Sequence, residues 1–196
     1  IHLKQLFLNL QYYYCRDAKL KHQKEDEKCR ARVCMEIEEE LLEMYSDETL
    51  VTKPALLDQR GGHKYSLAAV SLIDSIANDK RDVQIVNIKN NGTVDFMDDD
   101  DVLEIAAVIG KDGAEPVAID KVDNRHIIGL MRVVKAYEKY TVEAATTGSE
   151  AAAINALLVH PLVGDWEKAH KCFEEMKWAH KAYLPELFPN DVVIKC

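Results

Sequence analysis

One block sets the class of fold. Val83-Gln84-Ile85-Val86-Asn87-Ile88 reads as a strand, and Asn90-Asn91-Gly92 is a tight-turn signal leading toward a second short strand at Thr93-Val94. Val102 to Ile109 reads as a further strand, Lys111-Asp112-Gly113 as a hairpin turn, and Pro116 to Ile119 as its return. Tight turns join only antiparallel neighbours, because a parallel pair needs a crossover of a dozen or more residues. The chain must therefore build a small antiparallel sheet in its middle.

On both sides the period is helical. Val33, Cys34, Ile37, Leu41, Leu42 and Tyr45 recur at helical spacing from about Arg30 to Tyr45, opposite Glu36, Glu39, Glu40 and Glu43. Ser66 is placed to cap a helix through Ala77, with Leu67, Val70, Leu72, Ile73 and Ile76 apolar. A long helix from Asn124 to Thr147 stops at Gly148; others are predicted over Ser149 to Val159 and Asp165 to Tyr183, with Pro161 between them and Pro185 ending the last. No internal repeat or low-complexity linker divides the chain. The expected architecture is one α+β domain over residues 1–196, with helices packed on a small antiparallel sheet.

Composition narrows the function. With 25 Lys+Arg against 34 Asp+Glu, the net charge is −9. That argues against nucleic acid or an anionic membrane, both of which need a concentrated basic surface. No apolar run reaches the roughly 20 residues of a membrane span. The five cysteines include no Cys-x-x-Cys pair, so reduced thiols in a cytoplasmic protein are expected. The chain opens on Ile1 in mid-pattern, which reads as part of something larger.

Several short patterns then match one family in order. They run from Arg60-Gly61-Gly62-His63-Lys64-Tyr65-Ser66 through Asn78-Asp79-Lys80, Val86-Asn87 and Asn90-Asn91-Gly92. The series continues with Val102-Leu103-Glu104-Ile105, Lys135-Ala136-Tyr137-Glu138, Thr147-Gly148, His160-Pro161-Leu162-Val163 and Tyr183-Leu184-Pro185. The chain resembles the C-terminal domain of glycoside hydrolase family 4, closest to its 6-phospho-β-glucosidases. The resemblance implies a fold like the C-terminal domain of lactate and malate dehydrogenases. It implies hydrolysis of 6-phospho-β-glucosides by NAD⁺- and Mn²⁺-dependent oxidation, elimination, water addition and re-reduction, an exception to the usual carboxylate pair. Substrates would be phosphorylated disaccharides or aryl 6-phosphoglucosides, and the assembly a homodimer or tetramer. The family's NAD-binding Rossmann domain and its metal-binding Cys and His precede this region. NAD⁺ and Mn²⁺ are thus expected from an N-terminal domain absent from this chain, with no metal site in it, and the chain alone should be inactive.

The resemblance also points at residues. Arg30, in Lys28-Cys29-Arg30-Ala31-Arg32-Val33, takes the place of an arginine that binds the sugar 6-phosphate; a planar guanidinium fork suits phosphate oxygens. Asn90 and Asn91 either line the sugar site or simply form the turn. His63, followed by Lys64 rather than Gly, is expected to be a surface or packing residue. The run Asp98 to Asp101 lacks the alternating spacing of a calcium loop and is expected to be solvated. Trp166, Phe173 and Trp178 suit core or subunit contact. Ile127, Ile128, Leu130, Met131, Val134 and Tyr137 suggest a buried central helix.

The family's proton-abstracting tyrosine opens a stretch reading approximately P-x-Y-L-R-Y-Y-Y. Aligned on Tyr12-Tyr13-Tyr14, Asn9 falls at the base and Gln11 at the arginine. An amide takes no proton at neutral pH, whereas a phenol of pKa near 10 does so when a cation lowers it. Either Tyr12 has taken over, or the stretch is a disrupted copy in a non-catalytic binding or assembly module.

Overall fold

The computed structural model describes residues 10–61, 64–184 and 187. They form two compact units. One holds the described residues up to Arg16, the segment Val94–Asp101 and the described residues from Asp120 onward; the other holds Asp17–Thr93 and Val102–Ile119.

The second unit carries the sheet. It contains most of α2 (Arg16–Glu25), then α3 (Arg30–Tyr45), α4 (Leu56–Arg60) and α5 (Tyr65–Ala77), followed by β1 (Asp82–Lys89), β2 (Val102–Gly110) and β3 (Gly113–Pro116). The strands pair antiparallel in the order β1-β2-β3, from Asp82 opposite Ile109 to Lys89 opposite Val102. Gly110 pairs with Gly113 across Lys111-Asp112, and Gly113 takes a φ of 116° that favours glycine. Leu103, Ile105, Ala107 and Ile109 of β2 are buried on one face, as the two-residue side-chain period requires.

Two strand expectations are corrected. Thr93-Val94 is not a strand. Asn91 and Gly92 have φ of 42° and 81°, and the Thr93 N–H closes the turn on the Asn90 carbonyl at 2.8 Å. That is hairpin geometry, yet Lys89 already pairs with Val102. The chain beyond continues as turns, with Met97 N–H bonded to the Val94 carbonyl and Asp101 N–H to that of Asp98. The return strand ends at Pro116, which has no N–H for the ladder, although Val117 still donates to Ala106.

Helix α5 turns its apolar residues outward. It starts at Tyr65 with Ser66 inside the first turn rather than at the cap, and packs on β2. Its fully buried residue is Ser75, whose Oγ donates to the Ser71 carbonyl at 2.9 Å and accepts from Gln84 Nε2 at 2.7 Å. Leu67, Val70 and Ile73 are 63–69% exposed. Small serines on the sheet side permit a close, hydrogen-bonded approach, so the apolar stripe faces away.

The first unit is helical: α1 (Gln11–Tyr14), α6 (Arg125–Thr147), α7 (Glu150–Val159) and α8 (Trp166–Ala179), then a 3₁₀ turn at Lys181–Tyr183. Local chemistry sets these ends. Asn124 accepts from the N–H groups of His126 and Ile127, Ser149 from Ala152, and Asp165 from Lys168. Gly148 closes α6 in the left-handed conformation, φ 69° and ψ 19°, with its N–H on the Ala144 carbonyl. Helix α8 stops at Ala179, short of Tyr183, where His180 leaves helical geometry at φ −107° and ψ 16°.

Helix α6 is half-buried rather than a buried central helix: none of its described residues is fully buried. Its neighbour α7 buries Ala152 and Ala156, and α8 buries Ala169 and Phe173. Trp166 and Trp178 are exposed, so of the three aromatics only Phe173 is core.

Candidate functional site

Arg30 opens α3 behind Cys29, which provides no side-chain cap. Its Nη2 donates to the main-chain carbonyls of Gln59 at 2.7 Å and Arg60 at 3.2 Å. These carbonyls belong to the last turn of α4, which lacks intrahelical donors for them. Neighbouring cations are spent on carboxylates: Lys28 reaches both Glu36 oxygens at 3.0 and 2.8 Å, Arg32 lies 3.5 Å from Glu36, and Arg60 lies 3.4 Å from Glu38. Arg30 is held by neutral acceptors instead. Its charge is uncompensated by any carboxylate among the described residues, and its Nε and Nη1 edges remain for a second planar partner.

Asn90 and Asn91 lie in the same unit and behave differently. The Asn90 side chain is fully buried, while Asn91 is exposed at positive φ. The turn role is therefore real, and only Asn91 presents its amide to solvent.

The tyrosines belong to the other unit. Tyr12 is half-exposed on α1. Tyr14 Oη is hydrogen-bonded to His126 Nε2, with the rings 5.1 Å apart. Tyr13 lies 6.5 Å from the His160 ring, which Tyr137 meets edge-on at 4.6 Å. His160 Nδ1 accepts from the Leu162 N–H at 3.2 Å, which leaves the proton of a neutral imidazole on Nε2. Asn9 and His63 lie outside the described residues, as does the side chain of Gln11.

The acidic run is not simply solvated. Asp101 is only 4% exposed, and its Oδ1 lies 2.8 Å from Lys139 Nζ, which also reaches Asp98 at 2.6 Å. The two carboxylates push the Lys139 ammonium up from the ordinary lysine value, and Lys139 holds Asp98 below the usual carboxylate range. Arg132 Nε donates to the Phe96 carbonyl at 3.1 Å. Together these bonds pin residues 96–101 along α6, around a cleft of about 330 Å³ lined by Phe96, Asp98, Asp101, Arg132 and Lys135. Neither this cluster nor the Tyr14–His126 pair is visible in the sequence, since each joins residues more than 35 positions apart with no local signature.

Among the described residues no group of three or more His, Cys, Asp or Glu side chains is arranged to hold a metal. No described helix is long and apolar enough to cross a membrane.

Residues 5–163 match the model of the family 4 glycosyl hydrolase C-terminal domain. The chain is 41% identical over 180 residues to a probable 6-phospho-beta-glucosidase of Bacillus subtilis (strain 168), covering 90% of this chain and 40% of the relative. It is 37% identical over 172 residues to the 6-phospho-beta-glucosidase BglT of Thermotoga maritima, covering 88% and 41%. A solved structure of the Thermotoga maritima 6-phospho-beta glucosidase with manganese, NAD+ and glucose-6-phosphate matches with a TM-score of 0.81 at 37% identity, over 89% of this chain and 41% of that one. A 6-phospho-alpha-glucosidase from gut microorganisms, in complex with NAD and glucose-6-phosphate, matches with a TM-score of 0.77 at 26% identity, over 90% and 40%. The chain thus spans about 40% of the length of these relatives. On this sequence match, and on a fold shared with solved members, the chain belongs to family 4 of the glycosyl hydrolases, whose C-terminal domain it carries.

Proposed function

We propose that this chain is the substrate-phosphate-binding part of a 6-phospho-β-glucosidase that hydrolyses phosphorylated disaccharides or aryl 6-phospho-β-glucosides. The observation that carries the reading is Arg30: one Nη sits on the Gln59 and Arg60 carbonyls, while the rest of the fork meets no described carboxylate. A guanidinium fixed on one edge loses little side-chain freedom when its other edge takes a phosphate, and the resulting bonds are charge-assisted. The β preference rests on the two β-glucosidases, at 41% and 37% identity. Asn91, exposed beside the buried Asn90, is the better candidate of the two for a sugar hydroxyl.

In this reading NAD⁺ and Mn²⁺ supply the redox and Lewis-acid chemistry of the oxidation–elimination sequence. The reading assigns both cofactors mainly to an N-terminal domain, as the family resemblance implies. What the chain itself contributes is capture of the 6-phosphate by Arg30 and, through Tyr12, a phenolate as proton acceptor. A sugar phosphate does not cross a membrane unaided, which places such an enzyme in the cytoplasm. The exposed stripe of Leu67, Val70 and Ile73 suits a homodimer or tetramer.

A second reading, a non-catalytic binding or assembly module, is favoured by Asn9 at the family's base position. The test is turnover by the full-length protein on aryl 6-phospho-β- and α-glucosides with NAD⁺ and Mn²⁺. Turnover of the β anomer is expected. A folded protein that turns over neither anomer yet binds glucose 6-phosphate would establish the binding module.

A further inference from the structure

We propose that Gly61 is a positioning residue for the phosphate-binding arm, acting through the Gln59 and Arg60 carbonyls on the Arg30 guanidinium. This rests on the reading of Arg30 as the phosphate ligand.

Gly61 ends α4 at φ 82° and ψ 173°, a region of backbone space essentially reserved for glycine. Space is not the reason for glycine here, because a Cβ at Gly61 would meet nothing within 4 Å. Conformation alone demands it. Gly148 makes the contrast, since its left-handed geometry folds its own N–H back onto the Ala144 carbonyl and closes α6 on itself. At Gly61, by contrast, the last-turn carbonyls of Gln59 and Arg60 converge on one nitrogen of Arg30. The Arg60 side chain lies 3.4 Å from Glu38 of α3, the helix that Arg30 opens, and ties the same turn to it. A side chain at position 61 would force a new φ there, and because α5 is held on β2 the last turn of α4 would have to shift to keep the chain connected, which re-aims the Arg60 carbonyl. Arg30 would keep its charge and lose its fixed orientation.

The test is a double-mutant cycle in the full-length protein with Gly61→Ala, Arg30→Ala and both, read as the affinity for inorganic phosphate and the KM for an aryl 6-phospho-β-glucoside. Gly61→Ala is expected to weaken phosphate and raise KM roughly tenfold, the loss of about one charge-assisted hydrogen bond, with kcat largely kept. In the Arg30→Ala background it should change neither further, because its route to substrate is gone. Arg60→Ala, which unties the same turn from Glu38 without changing residue 61, serves if Gly61→Ala does not fold. An effect of Gly61→Ala that persists undiminished without Arg30, or no effect beside a clear loss in Arg30→Ala, overturns the positioning role alone. No loss of phosphate affinity in Arg30→Ala overturns the phosphate reading, and this inference with it.

Discussion

Lys139 Nζ lies 2.8 Å from the buried carboxylate of Asp101. The lysine itself is half-exposed, so it acts as a lid on a charge that would otherwise face low dielectric alone. Removing one partner of such a pair strands the other.

Lys139→Ala should therefore lower the melting temperature, and Asp101→Asn in the same chain should recover part of the loss. The pH dependence has a definite sign. Asp98 is depressed below 3.8, so its contribution is complete above that value and disappears as pH falls through its lower folded value. Lys139 is raised above 10.5, so its contribution is complete below that value and disappears as pH rises through its higher folded value. Melting curves of wild type and Lys139→Ala should differ by a constant amount from about pH 5 to 9 and converge only toward acid and alkaline extremes.

Gly110→Ala probes the turn at the start of β1. A Cβ there would come within 2.6 Å of Asp79 Oδ1, which accepts from the Lys111 N–H at 3.1 Å. To make room the Asp79 side chain must turn away and give up that bond, in a segment where Asp79 and Arg81 sit at positive φ, 49° and 59°. A loss of roughly 1–3 kcal/mol is expected in denaturant unfolding. Gly110→Ala with Asp79→Ala should cost less than the sum of the two single changes, since the obstructing oxygen is gone.

Ser75→Leu tests which face of α5 is inward. Helical periodicity alone would welcome the leucine. The structure predicts overpacking against the sheet together with loss of the Gln84 hydrogen bond, about 1–3 kcal/mol. Ile73→Ser on the outward face should leave the stability of the isolated chain within about 0.5 kcal/mol. Equal losses at both positions would show that the orientation of α5 is wrong.

Tyr12 and Tyr14 separate by function. Tyr14→Phe removes the bond to His126, a cost on the order of 1 kcal/mol in stability with turnover retained. Tyr12→Phe in the full-length protein should reduce kcat by roughly 10²-fold or more if its phenol is the base. A Tyr12→Phe protein with full activity would rule that role out.

How much of this was legible in the chain depends on the range of the interaction concerned. Asn124, Gly148, Ser149 and Asp165 act on N–H groups or carbonyls within four residues, so three helix starts and one stop followed from the sequence. The Lys111-Asp112 hairpin followed from the same kind of local chemistry. The expected strand at Thr93-Val94 failed because a turn signal reports only its own geometry and does not say which strand takes the open edge.

The α+β class, three of the helix starts and the family membership were therefore already present in the order of residues, because capping, turn chemistry and periodicity act over a few positions. The burial of Ser75 in place of Leu67, Val70 and Ile73, the pairing of Asp101 with Lys139, and the seating of Arg30 on two carbonyls were decided only by the tertiary structure. Each depends on which distant segment arrives opposite, and a contact across about 30 residues or more leaves no local trace.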